Sequence, residues 1–191
     1  MCSFRYNKNY WWILVVSSLF ILTQAAFSFG WVVPPNDLVF FNRSASLPMG
    51  YYLSLPLGTL KEGDLVLVDL PQEMELYAVD RGWMEHGEML LKKIGGLEGD
   101  SYYVDDRIFE IDGKYIGPVY EKDSQGLPMP VLRGNFVVKE GYFLPVADRR
   151  PNSFDGRYFG DVPLASIKGK VVPLWTEGLL MRMLGGFYEK I

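Results

Sequence analysis

Apolar residues fall in two different patterns along this chain. From Tyr10 to Val33 they form one almost unbroken run of 24 residues, and no charged residue occurs between Lys8 and Asp37. Wound as a helix, that run is about 36 Å long, enough to span a bilayer with some tilt. Beyond it the apolar residues come in short runs with period-2 alternation, separated by turn signals. Gly63-Asp64 precedes Leu65–Val68, Gly99-Asp100 precedes Ser101–Val104, and Asp112-Gly113 follows Arg107–Ile111. Further runs are Asn135–Val138, Tyr142–Val146 and Ile167–Val172. This pattern predicts a mainly β, antiparallel domain with few short helices, and the Asp-Gly step predicts a tight hairpin. One helix is expected over Gln72–Trp83, opened by Pro71. Glu121–Gly134 is rich in Pro and Gly and reads as a loop. The tail Thr176–Tyr188 places Leu179, Leu180, Met183 and Leu184 at helical spacing, as a packed terminal cap or an interfacial helix.

The first run carries its own orientation. Arg5 and Lys8 precede it, and Pro34-Pro35-Asn36-Asp37 follow. The excess of positive charge on the N-terminal flank puts that end in the cytoplasm and the remainder outside. Trp11, Trp12 and Trp31 sit near its two ends, where aromatic anchors are favoured. A cleaved signal peptide is the rival, but Thr23 or Gln24 would stand three residues before a cut after Ala25-Ala26. The expected organisation is therefore a cytoplasmic N-terminus at 1–9, a transmembrane anchor at 10–33 and a periplasmic domain at 34–191 on the inner membrane. About 155 residues beyond the anchor suffice for one domain with a real core.

Composition then narrows the chemistry. A net charge of −4 gives no electrostatic case for nucleic acid. The single cysteine, Cys2, excludes an intramolecular disulfide and a Cys-based zinc site. The single histidine, His86, lies in a polar stretch that reads as an exposed loop, so a histidine metal cluster is excluded as well. No metal and no cofactor is expected. Any hydrolysis must rest on carboxylates or on a serine with a base other than histidine.

Two segments answer that description. Ser44 and Ser46 are followed at once by Leu47-Pro48-Met49-Gly50. Pro48 cannot continue a ladder and Gly50 admits unusual dihedrals, so a serine here can present its hydroxyl. By itself, such a serine is ordinarily just part of a turn. Lys92 and Lys93 lie within the apolar run Met89–Ile94. Under strand alternation Lys92 shares a face with Leu90 and Ile94, and Lys93 shares the other with Leu91 and Gly95. A lysine acts as general base only when neutral, which in solution near pH 7.4 applies to about 0.1% of it. Burial away from carboxylates is what brings its pKa down. Two solvated lysines on an exposed strand is the plainer reading of the same residues.

Ser46-Leu47-Pro48, Lys92 in Leu91-Lys92-Lys93-Ile94-Gly95-Gly96-Leu97-Glu98-Gly99-Asp100, and the block Asn152-Ser153-Phe154-Asp155-Gly156-Arg157-Tyr158-Phe159-Gly160 occur in that order. Jointly they resemble the type I signal peptidase superfamily, membrane-anchored endopeptidases with a Ser/Lys dyad. Within it the likeness is nearest to the TraF-like conjugative-transfer peptidases. These share the Ser-x-Pro-x-Gly-x-Tyr form, and an Arg-Gly-aromatic segment leading into Leu-Leu-Lys, here Arg81-Gly82-Trp83 to Leu90-Leu91-Lys92. The resemblance implies a signal-peptidase-like antiparallel catalytic domain, with Ser46 as nucleophile and Lys92 as general base. It implies that Ser44 lines the oxyanion hole, that Ser153 orients the lysine, and that Asp155 and Arg157 form a supporting ion pair. It also implies shallow pockets for small residues before the cut.

Three departures stand out. The serine-to-proline gap is one residue, Gly156 replaces the family's usual serine, and Ala147-Asp148-Arg149 replaces a Gly-Asp-Asn lead-in. The expected substrate is an exported precursor, a pilin-like subunit of a conjugation apparatus, with membrane lipid and proteins of that apparatus as further partners. The alternatives are a general type I signal peptidase for secretory precursors, and a non-enzymatic membrane-anchored scaffold. Retention of both Ser46 and Lys92 speaks against the scaffold. Hydrolysis and cyclising transpeptidation are left open.

Overall fold

The computed structural model describes residues 11–28, with side chains to Leu22, and residues 38–147 and 151–176. The chain divides into two units, Met1–Leu38 and Val39–Ile191. In the first, α1 spans Trp11–Ser28. Every described side chain on it is exposed. Among the described residues no helix is long and apolar enough to cross a membrane. The expected span at 10–33 runs beyond the described residues at both ends, and Cys2, Trp31 and the tail after Thr176 also lie outside them.

The second unit is mainly β and wholly antiparallel, as the alternation predicts. Its strands are β1 (Val39–Asn42), β2 (Gly50–Leu55), β3 (Leu65–Val68), β4 (Leu90–Gly96), β5 (Ser101–Val104), β6 (Ile108–Ile111), β7 (Lys114–Pro118), β8 (Gly134–Val137), β9 (Tyr142–Val146), β10 (Val162–Pro163) and β11 (Ile167–Thr176). Seven form a sheet in the order β1-β2-β11-β3-β4-β9-β10, and four form another in the order β7-β6-β5-β8. The expected hairpin is present: Asp112 and Gly113 join β6 to β7 with φ of 47° and 72°, the two positive values that a tight two-residue turn needs.

The helix foreseen over Gln72–Trp83 stops three residues early. α2 is Gln72–Asp80. Gly82 takes φ of 67°, its N–H donates to the Val79 carbonyl at 2.8 Å, and the Trp83 N–H donates to the Ala78 carbonyl at 3.0 Å. That pair of bonds around a left-handed glycine is the Schellman ending, and it overrides the apolar spacing that continues to Trp83. A short helix α3 (Gly156–Phe159) follows Asp155, whose carboxylate accepts the Arg157 N–H.

β4 lies inside the larger sheet, between β3 and β9. Both of its edges are therefore paired, and both of its faces are packed. Ile94 packs with Val66, Val68, Phe143, Val162 and Ile167. On the opposite face Leu91 packs with Leu47, Tyr52, Leu67 and Val171. The core thus reaches directly under the segment that carries Ser46, through Leu47 and Tyr52. Gly95 continues β4 where a side chain would not fit, since an added Cβ would lie 2.5 Å from Val146 Cγ1.

Candidate active site

The serine segment, residues 43–49, is the connection between β1 and β2. Its geometry is set by residues at its two ends. Gly50, the first residue of β2, has φ of 137°, and a Cβ there would lie 2.2 Å from the Trp175 carbonyl oxygen. Only glycine permits that approach of β2 to β11. Asn42, at the end of β1, is buried and turns its side chain into the loop. Its Nδ2 donates to the carbonyls of Ser44 at 2.9 Å, Pro48 at 3.1 Å and Leu47 at 3.3 Å, and its Oδ1 accepts the Ser44 N–H at 3.1 Å. The Tyr52 hydroxyl also donates to the Pro48 carbonyl, at 2.6 Å. Ser46 is half-buried, and its N–H donates to Ser44 Oγ at 3.3 Å, a long and weak bond.

Lys92 is 3% exposed. Its Nζ donates to the Phe154 carbonyl at 2.6 Å. Burial pushes its pKa down from 10.5 to about 8; the negative charge of Asp155 pulls weakly the other way, and Arg157 presses it further down. Lys93, on the opposite face, is only half-buried. Alternation set the two lysines on opposite faces without saying which points inward; the buried one is Lys92, the lysine that the resemblance singled out.

The third block folds beneath this lysine. Asp155 and Arg157 form an ion pair at 2.8 Å with both side chains essentially inaccessible. The charges are well satisfied. Asp155 accepts the Ala147 N–H at 2.8 Å, and Arg157 Nη1 donates to the carbonyls of Pro118 and Pro151, each at 2.8 Å. Because Asp155 is committed to Arg157, no carboxylate pairs with Lys92 among the described residues. Gly156 also has a structural reason. A Cβ there would meet Leu144 Cδ1 at 2.6 Å and the Pro145 carbonyl at 2.8 Å, so the serine usual in the family has no room. The Phe154 ring sits among Tyr77, Trp83, Tyr158 and Phe159, with centroids 5.0–6.1 Å away. That packing holds the carbonyl that receives Lys92. Ser153 Oγ is buried and makes no hydrogen bond. The bond to the amine that was expected of Ser153 is made by its neighbour's main chain instead.

Ser44, Ser46, Lys92 and Ser153 all line one cleft of about 300 Å³. Its walls include Leu90, which alternation puts on the face of Lys92, and Trp83, Met84 and Met129, which the sequence did not single out as site residues. For Trp83 a signal existed in the Arg81-Gly82-Trp83 motif; for Met129, inside a Pro/Gly-rich loop, none did. The loop is bound to α2 by Arg81, which pairs with Asp123 at 2.7 Å, donates to the Pro128 carbonyl at 2.6 Å and lies 4.4 Å over the Tyr77 ring. His86 is exposed beside Glu75, as expected, and is absent from the cleft lining. Among the described residues no group of three or more His, Cys, Asp or Glu side chains could hold a metal.

Exposed apolar side chains flank the serine segment. Phe41, Tyr51 and Trp175 stand on adjacent strands in one cross-strand row, roughly half exposed, with Met49 in the loop beside them. The Phe41 and Tyr51 rings are 4.7 Å apart.

The antiparallel domain thus brings a serine and a buried lysine to the lining of one cleft. Residues 10–175 match the family described as signal peptidase, peptidase S26, and the chain belongs to that family. It is a signal-peptidase-like serine peptidase. It is similar to a plasmid transfer protein TraF of Escherichia coli, 26% identical over 147 residues that cover 71% of this chain and 81% of that protein. It is also similar to signal peptidase I of Aquifex aeolicus, 30% identical over 97 residues, covering 41% of this chain and 38% of the relative. Among solved structures, a signal peptidase I from Enterococcus faecalis aligns with a TM-score of 0.37 at 22% identity, over 60% of this chain and 97% of that one.

Proposed function

We propose that the chain is a Ser/Lys endopeptidase in which Ser46 Oγ attacks the scissile carbonyl and the neutral Lys92 amine takes its proton. What carries this reading is that a buried lysine without a carboxylate partner lines the same cleft as Ser46. With its pKa near 8, about one-fifth of Lys92 is neutral at pH 7.4, some two hundred times the solution fraction. The tetrahedral oxyanion is received by the Ser46 N–H and the Ser44 hydroxyl, which the incoming oxygen must part from one another. The lysine ammonium then protonates the leaving amine, and the acyl group stays on Ser46 Oγ. A water, deprotonated by the same lysine, attacks the ester and releases the acid. Ser153 and the Asp155–Arg157 pair act as support, the pair by holding the Phe154 carbonyl segment and keeping Asp155 from charging the lysine.

The substrate we propose is an exported, membrane-tethered precursor, a pilin-like subunit of a conjugation apparatus. Similarity to the Escherichia coli plasmid transfer protein over 71% of the chain supports it, as does the Ser-Leu-Pro-Met-Gly-Tyr form. A general secretory signal peptidase remains the second reading, favoured by the Aquifex aeolicus relative. Anchoring by residues 10–33 in the inner membrane, with the catalytic domain in the periplasm, rests on the uncharged run between Lys8 and Asp37. Cleavage of a precursor in membranes by the parent chain, Ser46→Ala and Lys92→Ala tests the mechanism. Both variants should be folded and inactive. Normal processing by either one removes the dyad.

A further inference from the structure

We infer that Asn42 is the positioning residue of the serine loop, the side chain that fixes where Ser46 stands. This inference rests on the reading of Ser46 as nucleophile. A connection of seven residues, 43–49, has no ladder of its own to hold it. Its main-chain polar groups need partners, and a buried one left without a partner is costly. One buried amide supplies four of them. Asn42 binds Ser44 at both its N–H and its carbonyl, and binds the carbonyls of Leu47 and Pro48. The residues before and after Ser46 are thus gripped by the same side chain. Two amide hydrogens are shared among three carbonyls, so the 3.3 Å contact to Leu47 is the weakest.

The chemistry demands this residue type. An aspartate of the same shape would keep the acceptor and lose both donors, and would set a carboxylate against three carbonyl oxygens. A serine or threonine could not reach several partners. Tyr52 reinforces the clamp on the far side through its hydroxyl on the Pro48 carbonyl, and its ring is fully buried. Held this way, the loop presents Ser46 to the cleft and keeps its N–H beside Ser44 Oγ. A nucleophile misplaced by about 1 Å can lose about a hundredfold in rate.

The test uses the full chain in detergent and a p-nitrophenyl ester of a short N-acyl peptide, following the p-nitrophenolate burst and mapping the label. Asn42→Asp should acylate about a hundredfold more slowly per folded molecule. Because this variant adds a charge, the pH midpoint is read in Tyr52→Phe instead, which adds none and should keep the parent's midpoint. Tyr52→Phe, which removes one hydroxyl and keeps the ring, should acylate three- to tenfold more slowly. Acylation by Asn42→Asp within twofold of the parent overturns the assignment; if that variant does not fold, an unchanged rate in Tyr52→Phe does so. Failure of the parent to label at Ser46 counts instead against the peptidase reading. The clamp is then decided by amide exchange at residues 43–47, which should quicken at least tenfold in Tyr52→Phe with β3 and β4 unaltered. No change in that exchange overturns it.

Discussion

Lys92 is held under two opposed demands. Under the proposed mechanism catalysis needs the amine neutral near physiological pH, and the fold must hold a group that water would rather keep charged. With the folded pKa near 8 and the ordinary value at 10.5, the unfolded chain binds the extra proton more tightly. The buried lysine therefore weakens the fold by about 3 kcal/mol at pH 7. That cost fades as pH rises from about 8 past 10.5. Lys92→Met removes it but leaves the Phe154 carbonyl unpaired, which costs about 1–3 kcal/mol. Urea unfolding should find Lys92→Met more stable than the parent at pH 7, by on the order of 1 kcal/mol, and less stable at pH 10. A difference independent of pH would mean that the lysine is not a buried, depressed base. The same residue sets the activity profile. Turnover should rise with pH to a midpoint near 8, and Lys93→Ala, on the half-buried face, should retain most of it. Ser44→Ala should slow turnover about a hundredfold without abolishing it, through loss of one oxyanion donor. Equal turnover in Ser44→Ala and parent removes Ser44 from the oxyanion hole.

At the scale of elements, the catalytic pieces depend on close approaches that a single methyl group would spoil. Gly50→Ala places a Cβ 2.2 Å from a main-chain oxygen of β11. It should destabilise by at least about 3 kcal/mol and abolish activity through the serine loop. A thermal melt unchanged from the parent would show that β2 and β11 do not meet there. Asp155→Ala strands Arg157 without its carboxylate and should cost about 3–5 kcal/mol. Sequence carried some of this organisation and not the rest, for physical reasons. β4 and the placing of Lys92 and Lys93 on opposite faces were legible because alternation is local; both faces carry apolar neighbours, so the choice of Lys92 came from the resemblance of the surrounding motif. The Asp112-Gly113 turn was legible because few residue pairs tolerate two positive φ values. The end of α2 could have been read from Gly82, had the glycine been weighed above the apolar spacing. β1 and β2 were not foreseen: Gly50–Leu55 reads as turn residues running into a strand without a clear start. The insertion of β11 between β2 and β3 is a pairing between distant segments, which no local pattern reports. Asn42 escaped notice because an asparagine before a turn looks like any other until its four partners are seen.

At the scale of the whole molecule, the membrane-tethered precursor proposed as substrate raises the question of how it would reach the cleft. Soluble domains scatter their exposed apolar residues, whereas here Phe41, Tyr51 and Trp175 stand in one row beside Met49 and the serine segment. A contiguous apolar patch of this kind marks an interaction surface. Aromatic side chains favour the interface between lipid and water, so the row suits a domain that rests on the membrane with its serine loop toward it. An anchor at 10–33, as proposed, would bring the domain to the bilayer, and the row would set its angle. These two roles separate experimentally. Trp175→Glu combined with Phe41→Glu leaves the cleft, Asn42 and Lys92 untouched, since both side chains point away from the core that contains Tyr52. The double variant should hydrolyse a short soluble peptide ester at the parental rate. It should process a precursor embedded in vesicles at least tenfold more slowly. Parental rates on both substrates would leave the apolar row without a part in substrate delivery. An equal loss on both would mean that the row supports the cleft, so that its exposure reflects structure alone.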